Sequence, residues 1–115
     1  MTATGPTSKE PLWNESPMPN PAQLETLDLK VFSATWCPDC RRLERWLAES
    51  GVKHTKVDIE TEPGAAERLE AETGKRAIPF ILVNDHAWVR GYHRELPQRL
   101  DPDLLVRELL AAAGE

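Results

Sequence analysis

Long apolar runs are missing from this chain. No stretch approaches the ~20 residues that carry a helix across a bilayer, so no membrane association is expected. Positive charge is also short. With 14 Lys and Arg against 19 Asp and Glu the net charge is -5, and no run of phosphates would be neutralised by such a surface. General nucleic-acid binding is therefore excluded, and the acidity reads as solubility. The start, Met1-Thr2-Ala3-Thr4-Gly5-Pro6, has neither the basic residues nor the apolar segment of a secretory signal, so the reducing cytoplasm is the expected compartment. Cysteine is scarce, and the two present, Cys37 and Cys40, stand in a C-x-x-C arrangement. A staple usually closes a longer loop; in a reducing compartment this spacing reads as redox chemistry or half a metal site.

What is present organises into one domain, since 115 residues leave room for no more. Residues 1–22 read as a disordered arm: Pro6, Pro11, Pro17, Pro19 and Pro21 are mixed with small polar residues without periodicity. Leu12, Trp13 and Met18 are the apolar exceptions there, solvated or docked. Residues 23–115 carry the domain. Leu27–Phe32 alternates and is β-prone. Cys37-Pro38-Asp39-Cys40 opens a helix, with Pro38 at its first position, Leu43 and Leu47 on one face and Gly51 at its end. His54–Ile59 is a second strand, and Pro63–Thr73 a second helix closed by Gly74. Phe80–Val83 is continuously apolar, as suits a strand buried on both faces. Asn84-Asp85 is a turn signal before a fourth strand, Ala87–Arg90. Asp101-Pro102 caps a last helix whose buried stripe is Leu105, Leu109 and Ala112. The order β-α-β-α-β-β-α predicts an α/β fold. Strands separated by helices are expected parallel with right-handed crossovers, and the last two strands form an antiparallel hairpin. There is no internal repeat.

A thiol at a helix start has chemical consequences. The free N–H groups and macrodipole there favour negative charge, and the thiolate is the reactive species. Cys37 is thus the expected nucleophile. Cys40, one turn on and on the same side, is the expected resolving thiol. Asp39 acts against this: a carboxylate about 7 Å from the sulfur opposes the thiolate by roughly 0.6–2.4 kcal/mol at an effective dielectric between 20 and 80. The helix terminus contributes roughly 0.3–2 kcal/mol the other way. With Arg41 and Arg42 partly offsetting Asp39, only a mildly stabilised thiolate is expected, which suits a reductant. The competing metal reading, zinc or an iron–sulfur cluster, would need His54, His86 or His93 beside the cysteines. No second closely spaced ligand pair exists.

The segment Thr35-Trp36-Cys37-Pro38-Asp39-Cys40-Arg41-Arg42-Leu43, followed by Val57-Asp58-Ile59-Glu60, Ala65-Ala66-Glu67 and Thr73-Gly74-Lys75-Arg76-Ala77-Ile78-Pro79, resembles the glutaredoxin family of the thioredoxin-fold superfamily, and looks most like the mycoredoxins. The resemblance covers about residues 27–112. It implies a thioredoxin fold with a four-stranded mixed sheet flanked by helices. Pro79 would be a cis-proline facing the cysteines, Ile78 would offer its backbone to substrate, and Arg76 would help hold a glutathione carboxylate or stay solvated. Departures are the Ala34 and Asp39 positions and a missing Gly-Gly-acidic segment. In its place stands Trp88-Val89-Arg90-Gly91-Tyr92-His93-Arg94, similar to the pattern in glutaredoxin-like electron donors of ribonucleotide reductase, which thioredoxin reductase generally serves.

Among single residues, Trp36 reads as a flat apolar wall for docking substrates. Trp46 reads as core edge and Trp88 as packed on the fourth strand. Gly91 permits a close backbone approach near the site or merely ends a strand. His93 is expected to be exposed and idle more often than a neighbour of the thiols. The expected function is a monomeric thiol–disulfide oxidoreductase acting on disulfide-containing proteins. It binds no cofactor, no flavin or nicotinamide motif being present, and is recycled by mycothiol, bacillithiol, glutathione or thioredoxin reductase. The alternatives are a dedicated electron donor, for example to ribonucleotide reductase, and a metal or iron–sulfur module.

Overall fold

The computed structural model describes residues 20–114. It contains a 3₁₀ turn (Pro21–Leu24), β1 (Leu29–Ser33), α1 (Pro38–Glu49), β2 (Thr55–Asp58), α2 (Ala65–Thr73), β3 (Phe80–Val83), β4 (Ala87–Arg90) and α3 (Pro102–Ala113). The expected order is observed. Leu12, Trp13, Met18 and all but the last three residues of the expected N-terminal arm lie outside the described residues. Asn20 caps the 3₁₀ turn that includes Pro21 and Ala22, and the turn's Leu24 is fully buried.

The four strands form one mixed sheet in the order β2-β1-β3-β4. Alternation along each strand builds two cores. Leu29 and Val31 of β1, with Ile81 and Val83 of β3, face Leu43 and Leu47 of α1 and Leu105 and Leu109 of α3. Phe32, Phe80 and Leu82 face the opposite way, onto Ala65 and Leu69 of α2. β3 is buried along its whole length, as its unbroken apolar run requires. Trp88 of β4 closes the second core, its ring edge-on to Phe32 at 4.9 Å, and Trp46 packs at the edge of the first.

One expectation on direction is corrected. β1 and β2 are parallel, but β3 runs antiparallel to β1 despite the helix between β2 and β3. The register gives the reason. β2 ends beside Ser33 (Ser33 opposite Asp58), and β3 begins at that same end (Phe32 opposite Phe80). The nine residues of α2 therefore do not carry the chain back along the sheet. The rule for parallel crossovers holds only when they do. Consequently the start of α1, the residue before β3 and the end of β4 converge at one end of the sheet.

Candidate active site

Cys37 is the N-cap of α1, with φ -90° and ψ 116°, and its Sγ accepts a hydrogen bond from the Cys40 backbone N–H at 3.1 Å. That is the cap geometry in which a side-chain acceptor satisfies a free amide of the first turn, and here the acceptor is the sulfur. Pro38 occupies the next position, where its missing N–H costs nothing. Both cysteines are free thiols. Cys37 keeps 5% of its surface exposed and Cys40 only 1%, so Cys37 is the one a substrate meets first. Burial pushes the Cys40 thiol far above its ordinary value. The bond with Cys37 and the nearby Glu44 charge add to the shift, and the Ala34 backbone opposes it.

The residue before β3 completes the face opposite the thiols. The Ile78–Pro79 peptide is cis, and the Ile78 carbonyl lies 4.0 Å from the Cys37 Sγ. Gly91, just after β4, donates its N–H to the Pro79 carbonyl at 2.9 Å. A Cβ on Gly91 would lie 2.7 Å from Leu43 Cδ2 and 3.2 Å from that carbonyl oxygen. Close approach is thus the reason for glycine at this position, rather than the end of a strand. Trp36 stands 60% exposed beside Cys37 and donates from Nε1 to Glu60 at 2.8 Å. Arg76 is exposed and paired with Glu70 at 2.7 Å.

Asp39 is corrected in its surroundings. Of the two arginines expected to offset it, Arg42 does bond its carboxylate, but Arg41 turns away and donates to the Thr35 carbonyl at 2.9 Å. The second partner is Arg99, sixty positions along the chain, with Nη2 2.5 Å from Oδ2 and Nε 3.3 Å from Oδ1. This two-pronged guanidinium, first among the causes, holds the Asp39 carboxyl below the usual carboxylate range against the opposing effect of burial. Arg99 holds φ at +66°, a left-handed backbone that an L side chain adopts only when its contacts compensate. Its guanidinium lies over the Tyr92 ring at 5.6 Å. No periodicity announces a pair so distant in sequence.

His93 is likewise corrected. It is 1% exposed. Its Nδ1 accepts the Asp101 N–H at 3.0 Å, which places the ring proton on Nε2, facing Glu108 at 3.0 Å. It anchors the start of α3 and is not a free group beside the thiols. His54, at 2.9 Å from the Val52 carbonyl, is turned to its own strand end. Among the described residues, no three His, Cys, Asp or Glu gather as a metal site.

Comparison with known proteins agrees with this geometry. The glutaredoxin family model matches residues 29–88, a little over half of the chain. The chain belongs to the glutaredoxin family. Relatives include the chloroplastic glutaredoxin-C4 of Oryza sativa subsp. japonica, 36% identical over 56 residues (46% of this chain, 42% of the relative). The glutaredoxin-like protein NrdH of Lactococcus lactis is 31% identical over 58 residues (50% and 79%), and NrdH of Escherichia coli is 26% identical over 74 (64% and 89%). The matched part spans 42% and 55% of the two plant glutaredoxins from rice and Ricinus communis. Among solved structures, a thioredoxin-like protein superposes with a TM-score of 0.55 at 19% identity, covering 74% of this chain and 96% of that one. The glutaredoxin of Archaeoglobus fulgidus gives 0.51 at 20%, covering 72% and 85%. These likenesses support the thioredoxin fold of this glutaredoxin. Among its described residues no helix is long and apolar enough to cross a membrane.

Proposed function

We propose that this glutaredoxin reduces protein disulfides or mixed disulfides through Cys37 and Cys40. The observation that carries this is the Cys37 sulfur at the N-cap of α1, accepting the Cys40 amide at 3.1 Å, with the second thiol one turn deeper. The helix start favours charge on that sulfur. The Cys37 thiolate attacks a substrate sulfur, the substrate S–S bond breaks, and the departing thiolate is protonated. Cys40, once deprotonated, attacks Cys37 Sγ; the Cys37–Cys40 bond forms and the second substrate sulfur leaves. The protein gives up two electrons and two protons in all, and the substrate takes them. Trp36 supplies the exposed apolar surface beside the nucleophile, and Ile78 the backbone on the opposite wall.

A dedicated electron donor recycled by thioredoxin reductase is the second reading. The segment Trp88–Arg94, which stands where glutaredoxins carry Gly-Gly followed by acidic residues, and the likeness to proteins named NrdH support it over a glutathione-driven cycle. The deciding experiment is turnover of one mixed-disulfide substrate with glutathione, mycothiol, bacillithiol and thioredoxin reductase offered in parallel. Cys37→Ser is expected to abolish turnover. Survival of Cys40→Ser marks a monothiol route and its loss a dithiol route. Full activity of Cys37→Ser would refute the reading.

A further inference from the structure

Cys40 presents a problem that the rest of the site does not solve. It must lose a proton before it can attack Cys37, yet it sits 1% exposed, where water cannot readily take that proton. Two buried polar atoms lie on the same side of the sheet. Among the described residues, Ser33 Oγ and Glu44 Oε2 are buried with no hydrogen-bond partner, a condition that is uncommon in folded proteins and asks for a reason.

Their placement follows from the fold. Glu44 is four residues after Cys40 on α1, and side chains at that spacing stand one above the other, about 5–6 Å apart at Cβ. Ser33 is the last residue of β1. It alternates with Leu29 and Val31, so it points to the face covered by α1. The next residue, Ala34, brings its backbone to the Cys40 thiol. Lys56 lies opposite Val31 on β2 and shares that face; its Nζ stands 3.5 Å from Glu44 Oε1. One carboxylate oxygen is therefore held by a cation, and the other is turned inward and unpaired.

We propose that Glu44 is the proton acceptor for Cys40 during resolution, held in place by Lys56. This rests on the reading of the two cysteines as a working dithiol. With substrate disulfide-bonded to Cys37, the Cys40 S–H proton passes to Glu44 Oε2 through one intervening water, since neither Glu44 Oε2 nor Ser33 Oγ is hydrogen-bonded to the thiol or to the other. The Cys40 thiolate attacks Cys37 Sγ, the Cys37–Cys40 bond forms, the Cys37–substrate bond breaks, and the leaving thiolate takes up the proton from Glu44 or from solvent. The charged groups facing this spot are Cys37 and Glu44 on α1 and Lys56 on β2.

The sign of one substitution separates this role from a passive one. If Glu44 acted only as a nearby negative charge it would hinder ionisation of Cys40, and Glu44→Gln would speed resolution. If it accepts the proton, Glu44→Gln slows it. The test loads Cys37 with thionitrobenzoate and follows its release by absorbance in stopped flow between pH 6 and 10. Glu44→Gln is expected to release about 100-fold more slowly at pH 7, the low end of what general bases contribute, and to approach the parent rate as hydroxide takes over. Glu44→Asp recovers part of the rate, and Glu49→Gln, exposed on the same helix, follows the parent. Lys56→Met, which leaves α1 untouched, is expected to slow release less than Glu44→Gln. Release from Glu44→Gln equal to or faster than the parent at pH 7 would overturn the role of Glu44 alone. A parent that never releases the chromophore would instead sink the dithiol reading itself.

Discussion

Replacing Arg99 tests whether a residue sixty positions away governs the nucleophile. Asp39 lies two residues after Cys37, and its carboxylate is shared by Arg42 and by the fork of Arg99, at 2.5 and 3.3 Å. Arg99→Gln leaves that carboxylate with Arg42 alone. An uncompensated Asp39 charge, taken at a separation of about 7 Å, would oppose the thiolate by roughly 0.6–2.4 kcal/mol, which is about 3- to 60-fold in thiolate fraction. Arg42 remains, and both guanidiniums are 41% exposed and screened by solvent, so the lower part of that range, about 3- to 10-fold, is the expected loss. The assay is the rate of iodoacetamide alkylation of Cys37 near pH 7 and low salt, in a Cys40→Ser background. Asp39→Asn is expected to restore the rate in the Arg99→Gln protein, and added salt to shrink the difference. The reasoning is refuted if Arg99→Gln alkylates at the parent rate. It is also refuted if the deficit persists with Asn at position 39, because the loop and not the charge would then be responsible.

Three further outcomes follow from the packing and the ion pairs. Gly91→Ala forces a methyl within 2.7 Å of buried Leu43 and 3.2 Å of the Pro79 carbonyl; the expected loss is about 1–3 kcal/mol by urea unfolding, and an unchanged midpoint would contradict the close approach. His93→Ala leaves a hole and an unpaired Asp101 N–H at the start of α3. It is expected to cost about 2–4 kcal/mol, whereas an exposed, idle histidine would cost almost nothing. Asp39 is held below its ordinary value by Arg99 and Arg42, so its contribution to stability is complete above the unfolded value of about 4 and is lost as pH falls through the lower, folded value. In acid titrations of stability, Asp39→Asn is expected to flatten the curve below about pH 4, and a curve parallel to the parent's would show that the pairs do not stabilise the fold.

Much of the fold is written locally. Cys37-Pro38 marks the start of α1, Gly74 the end of α2, Asp101-Pro102 the start of α3, and the apolar run Phe80–Val83 the doubly buried strand; each is found where its residues place it. These features succeed because caps, prolines and short periodicities act within a few residues. The direction of β3 was not legible, because it depends on how far the segment from Asp58 to Pro79 travels along the sheet, a property of the whole connection. His93 gave no signal either: its burial is set by where α3 docks, and a lone histidine among Arg and Glu looks solvated. Arg99 is invisible for the same reason, since its partner is fixed by tertiary structure. Glu44 was within reach, because helical spacing from a buried cysteine points to it once Cys40 is known to lie inward.

The two sulfurs, three residues apart, meet opposite environments, and this sets the order of events. Cys37 sits where the unpaired amides of the first helical turn, its own cap bond included, face the sulfur. Cys40 sits where desolvation pushes its thiol far above the ordinary value, which suits the resolving role proposed for it and not the first attack. A sequence of attack beginning at Cys40 would require a buried thiolate before any substrate had arrived. The asymmetry also bears on the choice between routes. A small thiol that reaches the mixed disulfide from solvent competes only with a step that must first extract a proton from the interior. Anything that slows that extraction, such as loss of the carboxylate at position 44, shifts flux toward the monothiol route without touching the first attack. If Glu44 takes the proton as proposed, the balance between the two routes is set on the buried side of α1, by a residue that substrate does not meet.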